Sequence, residues 1–379
     1  EVSAPHTFND ADTFDDWSIE GHRGEQNQWG GRTWYRKRFT LPPSTRGKRV
    51  CIEFEAVRQV AEVTLNGRLL GVHKSGFSPF GFDLTPHLRF DGPNVLAVMC
   101  DNRFQKDPMG RERTEAAERT ANPTGAADRG PSGGSTRGGS LAEMTEGFNR
   151  MIPDTVAELQ ADQIPWNNPH WHPAHGGIYR NVRLHVVDAL HISLPLYSFL
   201  ETVGPYVCAT DVSEQSATVA IEVPVQNGRS TSQHVDVTAD LRDDEGRAVM
   251  SVTATGDLAA GASETVKLTG KVQDPRLWEP GYPYLYRVVL TLKAGGETAD
   301  TCEVPFGIRS VRWTLDQGFF INGHHLKLRG WGQKSTDEWP GIGAAQPDWM
   351  HYFTLNLMRQ AGGNFVRWGH TAGGPAQIG

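Results

Sequence analysis

His325-Leu326-Lys327-Leu328-Arg329-Gly330-Trp331 reads as a strand, Pro347-Asp348 as the start of a helix, and Asn364-Phe365-Val366-Arg367-Trp368-Gly369-His370 as a second strand. Proline loses no hydrogen bond in the first turn of a helix, and aspartate there meets the positive end of the dipole. Met350, Phe353, Leu357, Met358 and Ala361 recur at helical spacing until Gly362-Gly363 stops the run. Strand, helix, strand is the unit that opens a (β/α)8 TIM barrel. Nine residues follow His370, so a barrel begun here does not close within these 379 residues. Just upstream, Phe319-Phe320-Ile321-Asn322-Gly323-His324 carries the Asn-Gly pair of a tight hairpin. Residues 309–379 are therefore read as the first strands of a barrel domain.

Ahead of position 309 the period shortens to two. Ala217, Val219, Ile221 and Val223 alternate with polar partners, as do Val235, Val237, Ala239 and Leu241, and Tyr286 to Leu292 adds a further strand. Short strands with frequent turns over about 100 residues describe an immunoglobulin-like β-sandwich, placed at 188–308. Residues 1–187 read as a jelly-roll sandwich. Trp34 to Phe39 opens a strand, Val63 to Leu70 is broken by Asn66-Gly67, and Val95 to Val98 and Val182 to Val186 carry apolar residues on one face. Between Asn102 and Ile164 the pattern fails: a Gly-, Ser- and Arg-rich tract at Gly130 to Gly139 precedes a helix reading near Asp154 to Gln163. This 103–165 insertion is read either as a solvated loop or as a lid. Its composition offers little apolar area to offset ordering, so proteases are expected to cut there first.

Lys and Arg total 37 against 44 Asp and Glu, a net charge of −7, the wrong sign for gripping phosphate backbones; nucleic acid is not an expected partner. The longest apolar run, Val95 to Cys100, is far short of the about 20 residues of a membrane span, so no membrane partner is expected. Cys51, Cys100, Cys208 and Cys302 form no Cys-x-x-Cys pair and are read as free, buried thiols. The 11 tryptophans supply flat rings that can stack on sugars. The chain begins at Glu1 without a basic-then-apolar leader, read as a leader removed or never present.

Several motifs follow one another in a fixed order. Leu65-Asn66-Gly67 with Gly71 leads to Gly76-Phe77-Ser78-Pro79-Phe80-Gly81-Phe82-Asp83-Leu84-Thr85, to Asn94-Val95-Leu96-Ala97-Val98 and to Asp101-Asn102, and Gly177-Ile178-Tyr179-Arg180 closes the first region. Leu277-Trp278-Glu279-Pro280, Pro283-Tyr284-Leu285-Tyr286 and Phe306-Gly307-Ile308-Arg309 close the second. Asn322-Gly323, Leu328-Arg329-Gly330 and Gly363-Asn364-Phe365-Val366-Arg367 through His370 open the third. Together they resemble glycoside hydrolase family 2, the family of β-galactosidases, β-glucuronidases and β-mannosidases, over nearly the whole chain. The resemblance implies a jelly-roll sugar-binding domain, an immunoglobulin-like spacer and a barrel. It also implies a carbohydrate partner, no cofactor, and room for a homo-oligomer.

Barrel sites lie at the C-terminal ends of strands, here Trp331 to Lys334 and Arg367 to His370. The resemblance implies that Arg367 helps orient the catalytic carboxylates and that His370 hydrogen-bonds sugar hydroxyls; the plainer reading of Arg367 is a pair with an internal acid. Trp331 is read as a sugar platform or as packing. The cluster Trp166-Asn167-Asn168-Pro169-His170-Trp171-His172-Pro173-Ala174-His175 precedes the last jelly-roll strand. In the family this stretch reaches over the barrel mouth, which makes Trp171 and His172 candidates for sugar contact. Its His-x-His-x-x-His spacing also suits a metal, but no carboxylate is at hand and two prolines stiffen the loop, so no metal is expected.

Two departures matter. Galactosidases and glucuronidases usually continue the first barrel strand into an Asn, a basic residue, a His and an acid, where this chain has Gly332-Gln333-Lys334-Ser335. Lys334 stands nearest the missing imidazole, and a lysine there favours an acidic or sulfated sugar. Retaining glycosidases need two carboxyl groups about 5 to 5.5 Å apart. The family's acid/base Glu follows an Asn, no Asn-Glu dipeptide occurs in this sequence, and Asp337 and Glu338 are read as rim residues. The expectation is the N-terminal part of a periplasmic or extracellular retaining exo-β-glycosidase. A β-galactosidase comes first, with a β-glucuronidase or a related enzyme for an acidic or sulfated sugar as the alternative. A non-catalytic carbohydrate-binding protein is the rival. Alone, these residues are expected to hydrolyse nothing.

Overall fold

A computed structural model describes residues 1–8, 31–103, 175–195, 202–334, 339, 342–369 and 373–378. The 103–165 insertion past Arg103, and the expected sugar contacts Trp171, His172 and His370, lie outside the described residues.

The first region holds β1 (Arg32–Phe39), β2 (Arg49–Phe54), β3 (Val60–Leu65), β4 (Arg68–His73), β5 (Phe80–Asp83), β6 (Asn94–Asp101) and β7 (Val182–Val187). They form two antiparallel sheets, ordered β1-β6-β3-β4 and β5-β2-β7. Ile52, Phe54, Val63, Leu65, Phe80 and Val98 meet between them, giving a sandwich with one buried face per sheet. Asn66 and Gly67 take φ of 54° and 83°, the left-handed pair that joins β3 to β4. Asn66 does more than turn the chain: its Oδ1 accepts the Val95 amide at 3.0 Å and its Nδ2 donates to Asn94 Oδ1 at 2.9 Å, tying the hairpin to β6. One expectation needs correction. Leu184 and Val186 of β7 are exposed, because among the described residues β7 is the edge of its sheet and its apolar side overhangs the rim of the core.

The second region comprises β8 (Leu190–Ile192), β9 (Tyr206–Thr210), β10 (Ser216–Asn227), β11 (Gln233–Arg242), β12 (Ala248–Leu258), β13 (Ser263–Gln273), β14 (Tyr286–Ala294) and β15 (Glu297–Phe306). One sheet runs β13-β10-β8, with β9 also on β10; the other runs β12-β11-β14-β15. The period-two residues Val219, Ile221 and Val223 of β10 face Val237, Ala239 and Leu241 of β11 in one core, as the alternation predicts. Arg49 of the first sandwich donates to Gln226 of the second. All four cysteines are free; Cys51 and Cys100 are buried, whereas Cys208 and Cys302 are only half-buried.

The third region begins with β16 (Val311–Thr314), β17 (Gly318–Ile321) and β18 (His324–His325), a small antiparallel sheet with Asn322-Gly323 at its second turn. It continues with β19 (Gly330–Lys334), α1 (Asp348–Gln360), β20 (Phe365–Gly369) and the short α2 (Pro375–Ile378). β19 and β20 pair in parallel, with Gly330 opposite Phe365 and Lys334 opposite Gly369. The expected strand at His325 to Trp331 is displaced: pairing starts only at Gly330. Across Lys327 and Arg329, Asn364 supplies the hydrogen bonds instead. Its Oδ1 accepts the Arg329 amide at 2.8 Å and its Nδ2 donates to the Lys327 carbonyl at 3.1 Å. At Gly330 a Cβ would collide with the Phe365 carbonyl, so only glycine lets β19 enter the pair. The helix runs as predicted and stops at Gly362, whose φ is 84°. Its buried side is rotated from the expected one: Met350, His351 and Met358 are buried, while Phe353 and Leu357 are exposed.

Candidate functional site

The parallel pair has two faces. Residues in register share a face, so Trp331 and Gln333 lie with Val366 and Trp368, and Gly332 lies with Arg367. Gln333 Nε2 donates to Thr354 Oγ1 of α1 at 3.4 Å, which marks the first of these faces as the helix side. Trp331 belongs to it, its indole N–H donating to Gln333 Oε1 at 3.1 Å. Arg367 and Phe365 are exposed on the opposite face, and the Arg367 guanidinium lies over Gly369, where a Cβ would come within 2.8 Å of Nη1. The structure thus separates two expected site residues. Trp331 lies on the helix side, where it stays exposed, and Arg367 stands on the side turned away from it. Lys334 is in register with Gly369 at the C-terminal end of β19.

The first sandwich docks on that same end. Thr7 Oγ1 donates to the Ile342 carbonyl at 2.8 Å, in the segment leading from β19 to α1. Asn181 Nδ2 donates to Asp348 Oδ1 at 3.0 Å, at the first turn of α1. Arg180 Nη2 donates to Gln377 Oε1 at 3.4 Å, past the end of β20. Ala56 and Tyr179 of the sandwich bury themselves against Ala344 and Ala345. His175, the last imidazole of the aromatic cluster, packs so closely on Gly343 that a Cβ there would sit 2.8 Å from its ring. The sandwich therefore rests against the chain that leaves the C-terminal ends of both parallel strands.

Beside that apolar cluster the contact zone is lined by polar and charged groups. Glu55 is buried and accepts from Arg183 and from the Asn181 amide. Arg180 lies 5.2 Å over the Tyr179 ring. Gln346 and His351 are buried here, and neither the Gln346 amide nor His351 Nδ1 has a hydrogen-bond partner among the described residues. Burial, then the charge of Arg180, pushes the His351 imidazole down to about 4, with Asp348 pulling weakly the other way.

Sequence reasoning gave no role to two further groups. Arg58 is fully buried, with its guanidinium 5.3 Å over the Phe77 ring, and its backbone exchanges hydrogen bonds with Gly177 at 2.9 and 3.0 Å. Asp101 is fully buried at the end of β6 and receives Arg32 Nε at 3.0 Å and Arg103 Nη2 at 2.7 Å. Asn102 accepts the Gly31 amide at 2.9 Å and packs on Gly176. The dipeptide Asp101-Asn102 stands out in the sequence and Arg103 adjoins it, but nothing local announces that Arg32, 69 positions from Asp101, converges on the same carboxylate.

Comparison with known proteins identifies the family. The model of the galactose-binding-like domain of glycosyl hydrolase family 2 matches residues 10–132, and that of glycosyl hydrolases family 2 matches residues 203–309. A β-glucuronidase of Formosa agariphila is 44% identical over 377 residues, covering 100% of this chain and 33% of that protein. A β-galactosidase of Bacteroides ovatus is 28% identical over 368 residues, covering 95% of this chain and 35% of that protein. Among solved structures, a β-glucuronidase from glycoside hydrolase family 2 has a TM-score of 0.81 at 44% identity, over 100% of this chain and 34% of that one. A Bacteroides uniformis β-glucuronidase has a TM-score of 0.72 at 26% identity, over 100% of this chain and 36% of that one. The chain belongs to glycoside hydrolase family 2, and it spans about a third of the length of these relatives.

Proposed function

We propose that the protein is a retaining exo-β-glycosidase acting on a terminal β-glucuronide or a closely related acidic sugar. The observation that carries the choice of sugar is the 44% identity, along the whole chain, to a curated β-glucuronidase; the galactosidase relative stands at 28%, so the galactosidase expectation gives way. Lys334, the last residue of β19, supports this choice, since a lysine ammonium is the chemical complement of a sugar carboxylate. In this reading residues 1–187 form the jelly-roll sugar-binding domain, 188–308 the immunoglobulin-like spacer and 309–379 the opening of the TIM barrel. The parallel β19/β20 pair with its crossover helix supports the barrel.

Chemistry of this class needs two carboxyl groups, a nucleophile and an acid/base, held about 5 to 5.5 Å apart. Neither is assigned within these residues. The chain's own contribution is to position: Arg367 and His370 hold the carboxylates and the sugar from the second strand, Lys334 reads the sugar's acid from the first, and Trp171 and His172 cover the mouth. Trp331 lies on the helix side, away from Arg367. A panel of aryl β-glycosides assayed on the full-length protein tests the reading. The β-glucuronide is expected to be hydrolysed at least tenfold more efficiently than the β-galactoside, and the reverse order would overturn the choice of sugar.

A further inference from the structure

β1 is strongly basic. Four of its eight residues are cationic and none is acidic, in a chain whose net charge is −7. Tyr35 and Phe39 turn towards the core, so a period of two sets Arg32, Trp34, Arg36 and Arg38 on the outer face. Trp34 is 53% exposed, and Arg36 and Arg38 are exposed beside it. Arg32 is held by Asp101. Arg36 and Arg38 form no ion pair or hydrogen bond with any described residue. Their neighbours on β6 are Ala97 and Val95, and Trp34 stands opposite Met99, so the adjoining strand brings no carboxylate to this stretch.

Among the described residues β1 is also the edge of its sheet. Edge strands are commonly guarded by charge against pairing with another chain, which would account for the arginines alone. It does not account for Trp34, since a guard against association gains nothing from a large apolar ring left in water. A flat ring followed by two guanidinium forks, each step about 6.6 to 6.8 Å along one face, suits a sugar polymer that carries anionic groups. The indole lies against the apolar face of a pyranose, and the forks take carboxylate or sulfate oxygens in pairs. We propose that the outer face of β1 binds an anionic polysaccharide, uronate-rich or sulfated, through Trp34, Arg36 and Arg38. The assignment rests on this strand and holds whether or not the glycosidase reading does. A sugar polymer fits better than nucleic acid because the patch is small, the chain as a whole is acidic and the exposed aromatic is single.

Affinity electrophoresis of the full-length protein tests it, in gels containing polygalacturonate, dextran sulfate or neutral dextran, alongside a band-shift titration with DNA. Retardation is expected with at least one of the two anionic polymers and not with dextran. Trp34→Ala and the double variant Arg36→Gln/Arg38→Gln should each weaken it about tenfold, with melting temperatures unchanged. Should the double variant fail to fold, Trp34→Ala alone decides. Equal mobility in all three gels, retardation unaffected by the variants, or DNA bound as tightly as the polymers would each overturn the proposal.

Discussion

Arg367 carries a permanent charge on the face of β20 turned away from α1, a face it shares with exposed Phe365. If it holds the catalytic carboxylates, its loss removes a preorganised contact. Arg367→Ala in the full-length enzyme should then lower kcat/KM by about 10² to 10³ with little change in melting temperature. A variant that melts earlier but keeps its activity per folded molecule would reduce Arg367 to a structural partner. His351 makes a different prediction. Its imidazole titrates near 4 in the folded protein against 6.5 when free. Between those values the unfolded chain takes up the proton and the folded chain resists it, so stability is complete above 6.5 and falls as pH drops towards about 4. His73, buried and likewise pushed down to about 4, adds to the same slope. Melting temperature measured from pH 7 to 4 should fall, and His351→Gln should flatten the fall. An unchanged slope in the variant would remove His351 from the account.

Elements whose local chemistry is sufficient were legible from the chain. Asn66-Gly67 and Asn322-Gly323 supply the left-handed residues a tight hairpin demands, and the alternation in β10 and β11 names their inward residues correctly because one face of each is buried. The start of β19 and the buried side of α1 were not legible. The first depends on Asn364, 35 residues away from Arg329, taking the place of a ladder. The second depends on His351 and Thr354, polar residues that hydrophobic periodicity passes over, facing the sandwich and β19. Trp331 illustrates the same limit: its number places it at the rim, and only the register with Val366 shows which face it takes. Gly330 is the sharpest test at this scale. A Cβ there meets the Phe365 carbonyl, so Gly330→Ala should detach β19 from β20. Limited proteolysis should then cut within 309–379 while leaving the two sandwiches intact, and a variant as resistant as the native chain would contradict the close approach.

Across the whole molecule, the first sandwich is docked on the segments that follow the parallel strands. Thr7, Tyr179, Arg180 and Asn181 all touch the chain that follows a parallel strand's C-terminal end. None of these pairings is visible in the sequence: Asn181 and Asp348 are 167 positions apart. Replacing Asn181 by Leu should loosen this docking and lower the protein's melting temperature by a few degrees, while Asn181→Asp adds like charge beside Asp348 and should cost more. Equal melting temperatures for both variants would argue that the contact is incidental. The most direct measurement is hydrolysis of an aryl β-glucuronide followed by proton NMR, on the full-length protein and on residues 1–379 alone. The full-length protein should release the β-anomer first, with retention, and residues 1–379 alone should show no turnover for want of the carboxylate pair. Release of the α-anomer first, no hydrolysis of any β-glycoside by the full-length protein, or turnover by residues 1–379 alone would contradict it.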